Sequence, residues 1–330
     1  MRWLIVLGLE RAGDFGVDFR DELATMGHEV RTFAYRRENL LYRNRPTKAA
    51  YQRVILARLE RECRDWRPAI VLVLKGGPIT AELIHRVKAR TGALFLNVFP
   101  DNPLLMMPFP HIEPYDVFFT KERYAMRQLQ LAGLRNLYYL PLYCVPAFHH
   151  PVELTDEEAR ALEGVIALVG RRYPYRERLV AELADYPLGV WGPDWERTRD
   201  PRVRAVVRGG GVWGRAKLAI YAGARLSLNP HHPLNDIVGV NIRTFELAAA
   251  GACQVVDLKE DLSTLFKPGE EVVTYRDLGE LRRQLDYYLA HPEETRAIAE
   301  SSRRRALAEH TLRHRIEEIL TVVDERFGVR

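Results

Sequence analysis

The sequence predicts an α/β protein built around two parallel sheets, and three observations carry that expectation. Short continuous apolar runs alternate with segments of helical period along all 330 residues. Strands buried on both faces require such runs. The alternation restarts after residue 158, and the stretch before it, CVPAFHHPVELTDEE (144–158), holds two prolines, two histidines and few residues of buried type. A chain of this length exceeds one typical core and suits two domains.

Taken in order, RWLIVLGL (2–9) reads as a buried parallel strand and ERAGDFG (10–16) as a Gly-containing loop. A helix over 17–27 closes at Gly27, and HEVRTFAY (28–35) alternates as a second strand. Residues 47–66 form a long helix with Tyr51, Ile55 and Leu59 on one stripe. Strands follow at 69–77, ending in Gly-Gly, at 93–103, ending in Asp-Asn-Pro, at 115–120 and at 136–143, with helices at 79–90 and 121–133. The segment 144–158 reads as a linker that enters a helix through Thr155, with acids after it.

The second half begins with a strand at 165–170, then a loop and helix up to Pro187, then a strand at 188–192. Residues 194–208 are arginine-rich and show no pattern. A glycine-rich turn (209–215) leads to a helix at 215–223 and a strand at 225–229. The polar stretch from Asn229 breaks that strand, and a helix runs from about Asn241 to Gly251, a natural C-terminal glycine. Strands at 253–258 and 271–275 come next. Asp277 caps a helix at 278–290, and helices at 291–309 and from Thr311 to about Phe327 complete the chain. The expected organisation is a Rossmann-like domain over 1–146, a linker over 147–160, a second Rossmann-like domain over 161–310 and a helical tail over 311–330. The two domains face each other across a central cleft.

Of the 49 basic residues only seven are Lys, and net charge is +5. Arginine suits phosphate and carboxylate through its planar fork, although genome composition is the larger cause of such a bias. That net charge is too small to indicate nucleic acid. Three widely spaced cysteines without a CxxC fit reduced thiols and a cytoplasmic location. The apolar start is too short for a signal peptide, no run reaches the length of a membrane span, and no fixed-period repeat occurs.

In open parallel sheets, ligands bind beyond the carboxyl ends of the strands. That rule selects Gly8, Arg11, Lys75–Gly77 and Asp101 in the first half. In the second half it selects Gly170–Arg172, Gly192, Val212–Gly214, Asn229–His232 and Asp257. No GxGxxG follows the first strand and no Walker P-loop occurs, so dinucleotide-dehydrogenase and P-loop readings lose their main support. Arg243 and Glu246 lie three apart on one face of the helix from Asn241. The start of a helix beside Arg243 suits an anion, and a carboxylate one turn further in suits a pair of sugar hydroxyls. Arg243 is either a diphosphate ligand or the ion-pair partner of Glu246, and Asn241 either a ligand or a helix N-cap. Asp101 is either a general base or the start of an Asx-turn with Asn102-Pro103. Lys75-Gly76-Gly77 either approaches an acceptor or forms a tight turn. The histidine pairs 149–150 and 231–232 lack further ligands at zinc-like spacing, so no metal is expected.

NIRTFELAAAGA (241–252) resembles the GT-B glycosyltransferases, and more narrowly the CgeB-like, or spore maturation protein, branch of the group 1 type. The likeness extends through VGRRYPYRERL (169–179), GVWGRAKLAIYAGARLSLNP (211–230), the stretch from LFKPGEEVVTY to HPEE (265–294) and HTLRHR (310–315). KGGPI (75–79) and FPDNP (99–103) carry it loosely into the first half. The resemblance implies a metal-independent transferase that takes a sugar from a nucleotide-diphosphate sugar, UDP- or GDP-linked. The acceptor would be a carbohydrate, a lipid-linked molecule or a protein. It implies that Glu246 contacts the ribose, that Arg171 or Arg172 after Gly170 faces the diphosphate, and that Trp213 borders the base. Asn229, Asn241 and Arg243 complete the donor side, with Asp101, Lys75, Gly76 and Arg11 on the acceptor side. In the wider group a second glutamate stands eight positions before the ribose ligand. Here that position is Val238, which leaves the sugar-ring contact and the stereochemistry of transfer open. A binding protein without turnover and a GT-B sugar-nucleotide epimerase are the alternatives. Arg202, Arg204 and Arg208 are either a membrane-facing patch or a solvated face.

Overall fold

The computed structural model describes residues 1–10, 15–36 and 45–329. Among these, the strands form two six-stranded parallel sheets. The first contains β1 (Arg2–Leu7), β2 (Glu29–Ala34), β3 (Ile70–Leu74), β4 (Leu94–Phe99), β5 (Val117–Thr120) and β6 (Leu137–Tyr139), in the order β2-β1-β3-β4-β5-β6. The helices between them are α1 (Phe15–Thr25), α2 (Arg45–Trp66), α3 (Ala81–Thr91), α4 (Pro103–Met106) and α5 (Arg123–Leu131). Every residue of β3 is buried, as a strand covered on both faces requires. Val71 and Val73 pack with Leu59 of α2 and Leu83 of α3 in one continuous core. The Ile55–Leu59 stripe is buried as its spacing predicts.

The second sheet contains β7 (Ile166–Val169), β8 (Leu188–Trp191), β9 (Val207–Gly209), β10 (Leu226–Asn229), β11 (Gln254–Asp257) and β12 (Val273–Tyr275). Their order is β12-β11-β10-β7-β8-β9. Its helices are α6 (Asp156–Leu162), α7 (Pro174–Glu182), α8 (Pro201–Val206), α9 (Gly214–Gly223), α10 (Ile242–Ala249), α11 (Leu262–Leu265), α12 (Leu278–Ala290) and α13 (Pro292–Glu309). Ile166 and Leu168 point into one apolar layer and Ala167 and Val169 into the other, the period-two signature of a strand in a three-layer unit. Thr155 caps α6 through a reciprocal capping box with Glu158, and the Asp277 side chain caps α12.

Three segments differ from the sequence expectation. Residues 194–208 hold α8 and the edge strand β9. Asp200 caps α8, Pro201 opens it and Val203 and Val206 are its buried residues, but one and a half turns are too short to show a period. The strand read through residue 103 ends at Phe99, because Asn102 caps the short helix α4. The strand read over 136–143 is only Leu137–Tyr139, ending before Pro141, which has no amide hydrogen to give to a ladder.

The chain divides into two compact units. The first comprises Met1–Leu142, Pro233–Gly239 and Leu312–Arg330, and the second Tyr143–His232 and Val240–Thr311. In the first, helix α14 (Leu312–Phe327) packs on α1, and Arg313 pairs with Glu22 at 2.9 Å. In the second, His310 lies against the rings of Phe245 and Phe266 and shares a hydrogen bond with the Leu265 carbonyl at 2.8 Å.

All three cysteines are buried and none is in a disulfide, and burial pushes the thiols of Cys63 and Cys253 up to about 12. A thiol so held is almost never the reactive thiolate at neutral pH. In a thiol-reagent titration at pH 8, the native protein is therefore expected to react slowly and the urea-unfolded protein to release all three equivalents rapidly. Fast native labelling at Cys63 or Cys253 contradicts the packing described.

Candidate functional site

A parallel sheet opens a crevice where its strand order reverses. In the second unit the chain runs outward through β7, β8 and β9, then returns to the other side of β7 with β10. The reversal lies between β7 and β10, so the residues just past Val169 and Asn229 border the crevice. Gly170 follows β7 at that border, and on the side of β7 away from β10 it meets Gly192, which follows β8. Gly192 has φ +146°, and a Cβ on it would lie 2.1 Å from the Gly170 carbonyl oxygen. That carbonyl accepts the indole N–H of buried Trp195 at 2.8 Å. A Cβ on Gly170 would lie 2.9 Å from Arg176 Nη1 and 3.1 Å from Arg243 Nη2. Two guanidinium groups thus converge on the side-chain-free face of Gly170.

Each arginine comes from the first turn of a helix. Arg176, on α7, is buried and donates to the carbonyl oxygens of Arg171 at 2.7 Å and Pro230 at 3.0 Å. Arg243, on α10, has its Nε buried without a hydrogen-bond partner. Glu246 does not pair with it. Instead, Glu246 Oε2 accepts from Lys217 Nζ at 3.1 Å, and Oε1 lies 3.6 Å from His149 Nε2. The Glu246 side chain is only 15% exposed. Burial alone would raise its pKa, but the nearby charges of Lys217, His149 and Arg243 outweigh burial and hold it below the usual carboxylate range.

The start of α10 is fixed by an amide network. Asn241 is its N-cap, accepting the Thr244 N–H at 3.1 Å, and its own amide donates to Asn229 Oδ1 at 3.1 Å. Buried Asn229 donates to Thr244 Oγ1 and Gln254 Oε1. Both asparagines are therefore committed to holding the helix start, which leaves the first-turn amides of Ile242 and Arg243 outside the helical ladder.

The other expected donor-side residues lie apart from this convergence. Arg171 pairs with Asp194, and Arg172 with Glu177 at 2.6 Å. Trp213 stands 74% exposed before α9, with its ring where a Cβ on Gly211 would fall. The two neighbouring histidines diverge. His231 Nδ1 lies 2.8 Å from Asp257 Oδ1, while His232 packs edge-on against Tyr173 and Tyr175. Arg202 pairs with Asp200, and Arg204 and Arg208 donate to the carbonyls of Thr198 and Ala161. Sequence reasoning missed Arg176 and Lys217, and weighed His149 only as a metal ligand. Arg176 had a signal, since it occupies the first turn of the helix after β7 as Arg243 does after β10. Lys217 and His149 had none, because only folding brings α9 and the segment before α6 to Glu246.

In the first unit the order reverses between β1 and β3. A cavity of about 260 Å³ opens there, lined by Gly8, Phe15, Tyr35, Arg36 and Lys75 among others. Lys75 has φ +66° and its Nζ lies 2.6 Å from Asp101 Oδ2. Gly76 has φ +75°, and a Cβ there would meet Val73 Cγ1 at 2.4 Å. The turn of the KGG stretch thus presents Lys75 to Asp101. The neighbouring cap on α4 is made by Asn102, whose side chain accepts the Leu104 N–H at 3.1 Å. Arg11 lies outside the described residues.

Residues 171–321 match a family model described as glycosyl transferase-like. No curated protein matches the chain in sequence. Among solved structures, the sucrose-phosphate synthase (tll1590) from Thermosynechococcus elongatus has a TM-score of 0.74 at 16% identity over 99% of each chain. A glycosyltransferase from Rickettsia africae ESF-5 has 0.72 at 11% identity, over 100% of this chain and 99% of that one. Anabaena Alr3699/HepE, solved in complex with UDP and glucose, has 0.70 at 10% identity, over 98% and 100%.

The fold is GT-B.

In this GT-B chain, Val238 stands where the resemblance implies a glutamate, and its backbone N–H donates to Glu122 Oε1 at 3.1 Å. The N–H groups of Ile237 and Gly239 donate to Glu122 Oε2 at 3.0 and 3.2 Å. Glu122 also accepts from Tyr124 N–H, so its oxygens are taken up by backbone donors and it does not supply the missing carboxylate. Buried Lys121 pairs with buried Asp236 and donates to the Asn235 carbonyl at 3.1 Å. This loop is held by charge-assisted bonds in the first unit.

The contact between Gly192 and Gly170 gives a direct test. Gly192→Ala places a methyl group inside contact distance of a carbonyl at a backbone angle that side chains avoid. It is expected to destabilise the fold by about 3 kcal/mol or more, measured by urea unfolding. A loss below about 0.5 kcal/mol contradicts the close approach.

Proposed function

We propose that the protein is a glycosyltransferase that moves a sugar from a nucleotide-diphosphate sugar, UDP- or GDP-linked, to an acceptor hydroxyl. The observation that carries this reading is the convergence of Arg176 and Arg243 on Gly170, at the first turn of α10 and one turn from the ionised Glu246. Two guanidinium groups and open helix amides suit a diphosphate, whose negative charge grows as the sugar leaves. A carboxylate one turn further along suits the vicinal hydroxyls of a ribose. With that positive charge in place, leaving-group stabilisation needs no bound cation, which is why the reading is metal-independent. A neighbour solved with UDP and glucose, and again with UDP-glucose, supports a UDP-linked donor.

Asp101 is the proposed general base, with Lys75 Nζ 2.6 Å from its Oδ2. Trp213, so exposed, is the proposed platform for the base. Arg171 and Arg172 bind the diphosphate only by leaving their carboxylate partners, so Arg176 and Arg243 come first in this reading. The acceptor is a carbohydrate, a lipid-linked molecule or a protein. The CgeB-like branch is the proposed affiliation, on the motifs of residues 241–252. Among the described residues no helix is long and apolar enough to cross a membrane. A cytoplasmic site of action fits three buried thiols outside any disulfide.

Thermal-shift and calorimetric titration with UDP, GDP and their sugars, followed by an acceptor screen, test the proposal. Transfer is the expected outcome. Binding without release of sugar favours a binding protein, and epimer formation without acceptor favours an epimerase. Glu246→Ala is expected to weaken nucleoside-diphosphate binding by about 1–3 kcal/mol. Arg243→Gln is expected to weaken UDP or GDP binding about tenfold while leaving the parent nucleoside unaffected. Asp101→Asn is expected to lower turnover far more than donor affinity. Because Glu246 is held below the usual carboxylate pKa of about 4.3, its contribution to binding is present at neutral pH and persists as pH falls through 5, to be lost only in stronger acid. A loss of affinity centred near pH 6 assigns the titration to another group.

A further inference from the structure

Resting on the ribose reading of Glu246, we propose that Lys217 and His149 are positioning residues that fix the Glu246 carboxylate for the two hydroxyls of a nucleotide ribose. A carboxylate has two oxygens and about four lone-pair directions. Lys217 Nζ, from α9, uses one on Oε2 at 3.1 Å, and His149 Nε2, from the segment before α6, faces Oε1 at 3.6 Å. Lys217 leaves one direction on Oε2, and His149 stands beyond hydrogen-bond length across Oε1, so at least one direction per oxygen is open to two vicinal hydroxyls.

The His149 ring is not free to turn away. Its Nδ1 accepts the N–H of Val145 at 3.0 Å, which places the ring proton on Nε2, toward Glu246. The backbone N–H of His149 donates to the Val145 carbonyl at 2.8 Å, and the Cys144 N–H next to it donates to the His310 carbonyl at 2.9 Å. The turn that carries the ring is therefore anchored to the same unit as Glu246. Burial, with Lys217 and His150 nearby, lowers the His149 pKa more than Glu246 raises it, so the neutral donor form prevails at neutral pH. Arg243 adds charge from Glu246's own helix without bonding to it. Lys217 and His149 are largely buried, and no other partner of Glu246 occurs among the described residues. Without them the largely buried carboxylate would lose its anchors and turn among rotamers, and its preference for two adjacent hydroxyls would fade.

The measurement is the affinity ratio between UDP and 2′-deoxy-UDP, or the guanine pair if GDP binds better, by calorimetry. The wild type is expected to prefer the ribonucleotide about tenfold, the scale of one hydrogen bond to a charged group. In Lys217→Met and His149→Leu that ratio is expected to fall to about threefold or less, and Lys217→Arg is expected to restore it. Thermal melts establish that each variant is folded, and if one is not, the other carries the comparison. A merely structural role lowers both affinities together and leaves the ratio unchanged, which overturns the inference while the donor reading stands. If the wild type binds neither nucleoside diphosphate, the donor reading and this inference fall together.

Discussion

A carbonyl oxygen and a glycine hydrogen meet where β7 and β8 end. The rest of the second unit's crevice depends on that contact. A side chain on Gly192 would strike the Gly170 carbonyl, and one on Gly170 would push away the guanidinium groups of Arg176 and Arg243. With hydrogens at both positions the strand ends close together, and the space over Gly170 is left to positive charge. The parallel sheet explains why this happens at a crevice: the order of strands reverses between β7 and β10, so helices α7 and α10 leave the sheet on either side of the same gap.

Electrostatics then separates the roles of nearby charges. Two guanidinium groups close together repel, and Arg243 buries an Nε with no partner. Such an arrangement costs stability unless an anion offsets it, and that cost is the physical ground for the proposed donor site. Glu246 stands one turn away but is committed to Lys217 and His149, so it does not neutralise Arg243. Where Arg171 and Arg172 find Asp194 and Glu177, the charges are satisfied at the surface and carry no such implication.

Much of the fold was legible because strands buried on both faces must be apolar throughout, and turns between them must contain residues that break the run. The stripe Tyr51–Ile55–Leu59, the cap at Asp277 and the stop at Gly251 follow from local chemistry and appear in the structure where their spacing puts them. Residues 194–208 failed because α8 and β9 are each shorter than the period used to recognise them. Asn241 was open between ligand and cap until its bond to the Thr244 N–H was seen. Arg243 is not the ion-pair partner of Glu246, whose partners are Lys217 and His149.

By itself, the sequence determined that this is an α/β chain with two parallel sheets, that glycines end key strands, and that Arg243 and Glu246 share a helix turn. Those are properties of neighbours in the chain, governed by period, propensity and turn chemistry. Only the tertiary structure decided which charges meet. Arg176 reaches Gly170, Lys217 and His149 reach Glu246, and Glu122 gathers the amides of residues 237–239, across separations of 29 to 117 residues in the longer cases. Such pairings depend on how strands order within each sheet and how helices settle over them. No local spacing encodes that, because burial rewards any apolar surface alike whereas a hydrogen bond requires a particular atom within about 3 Å.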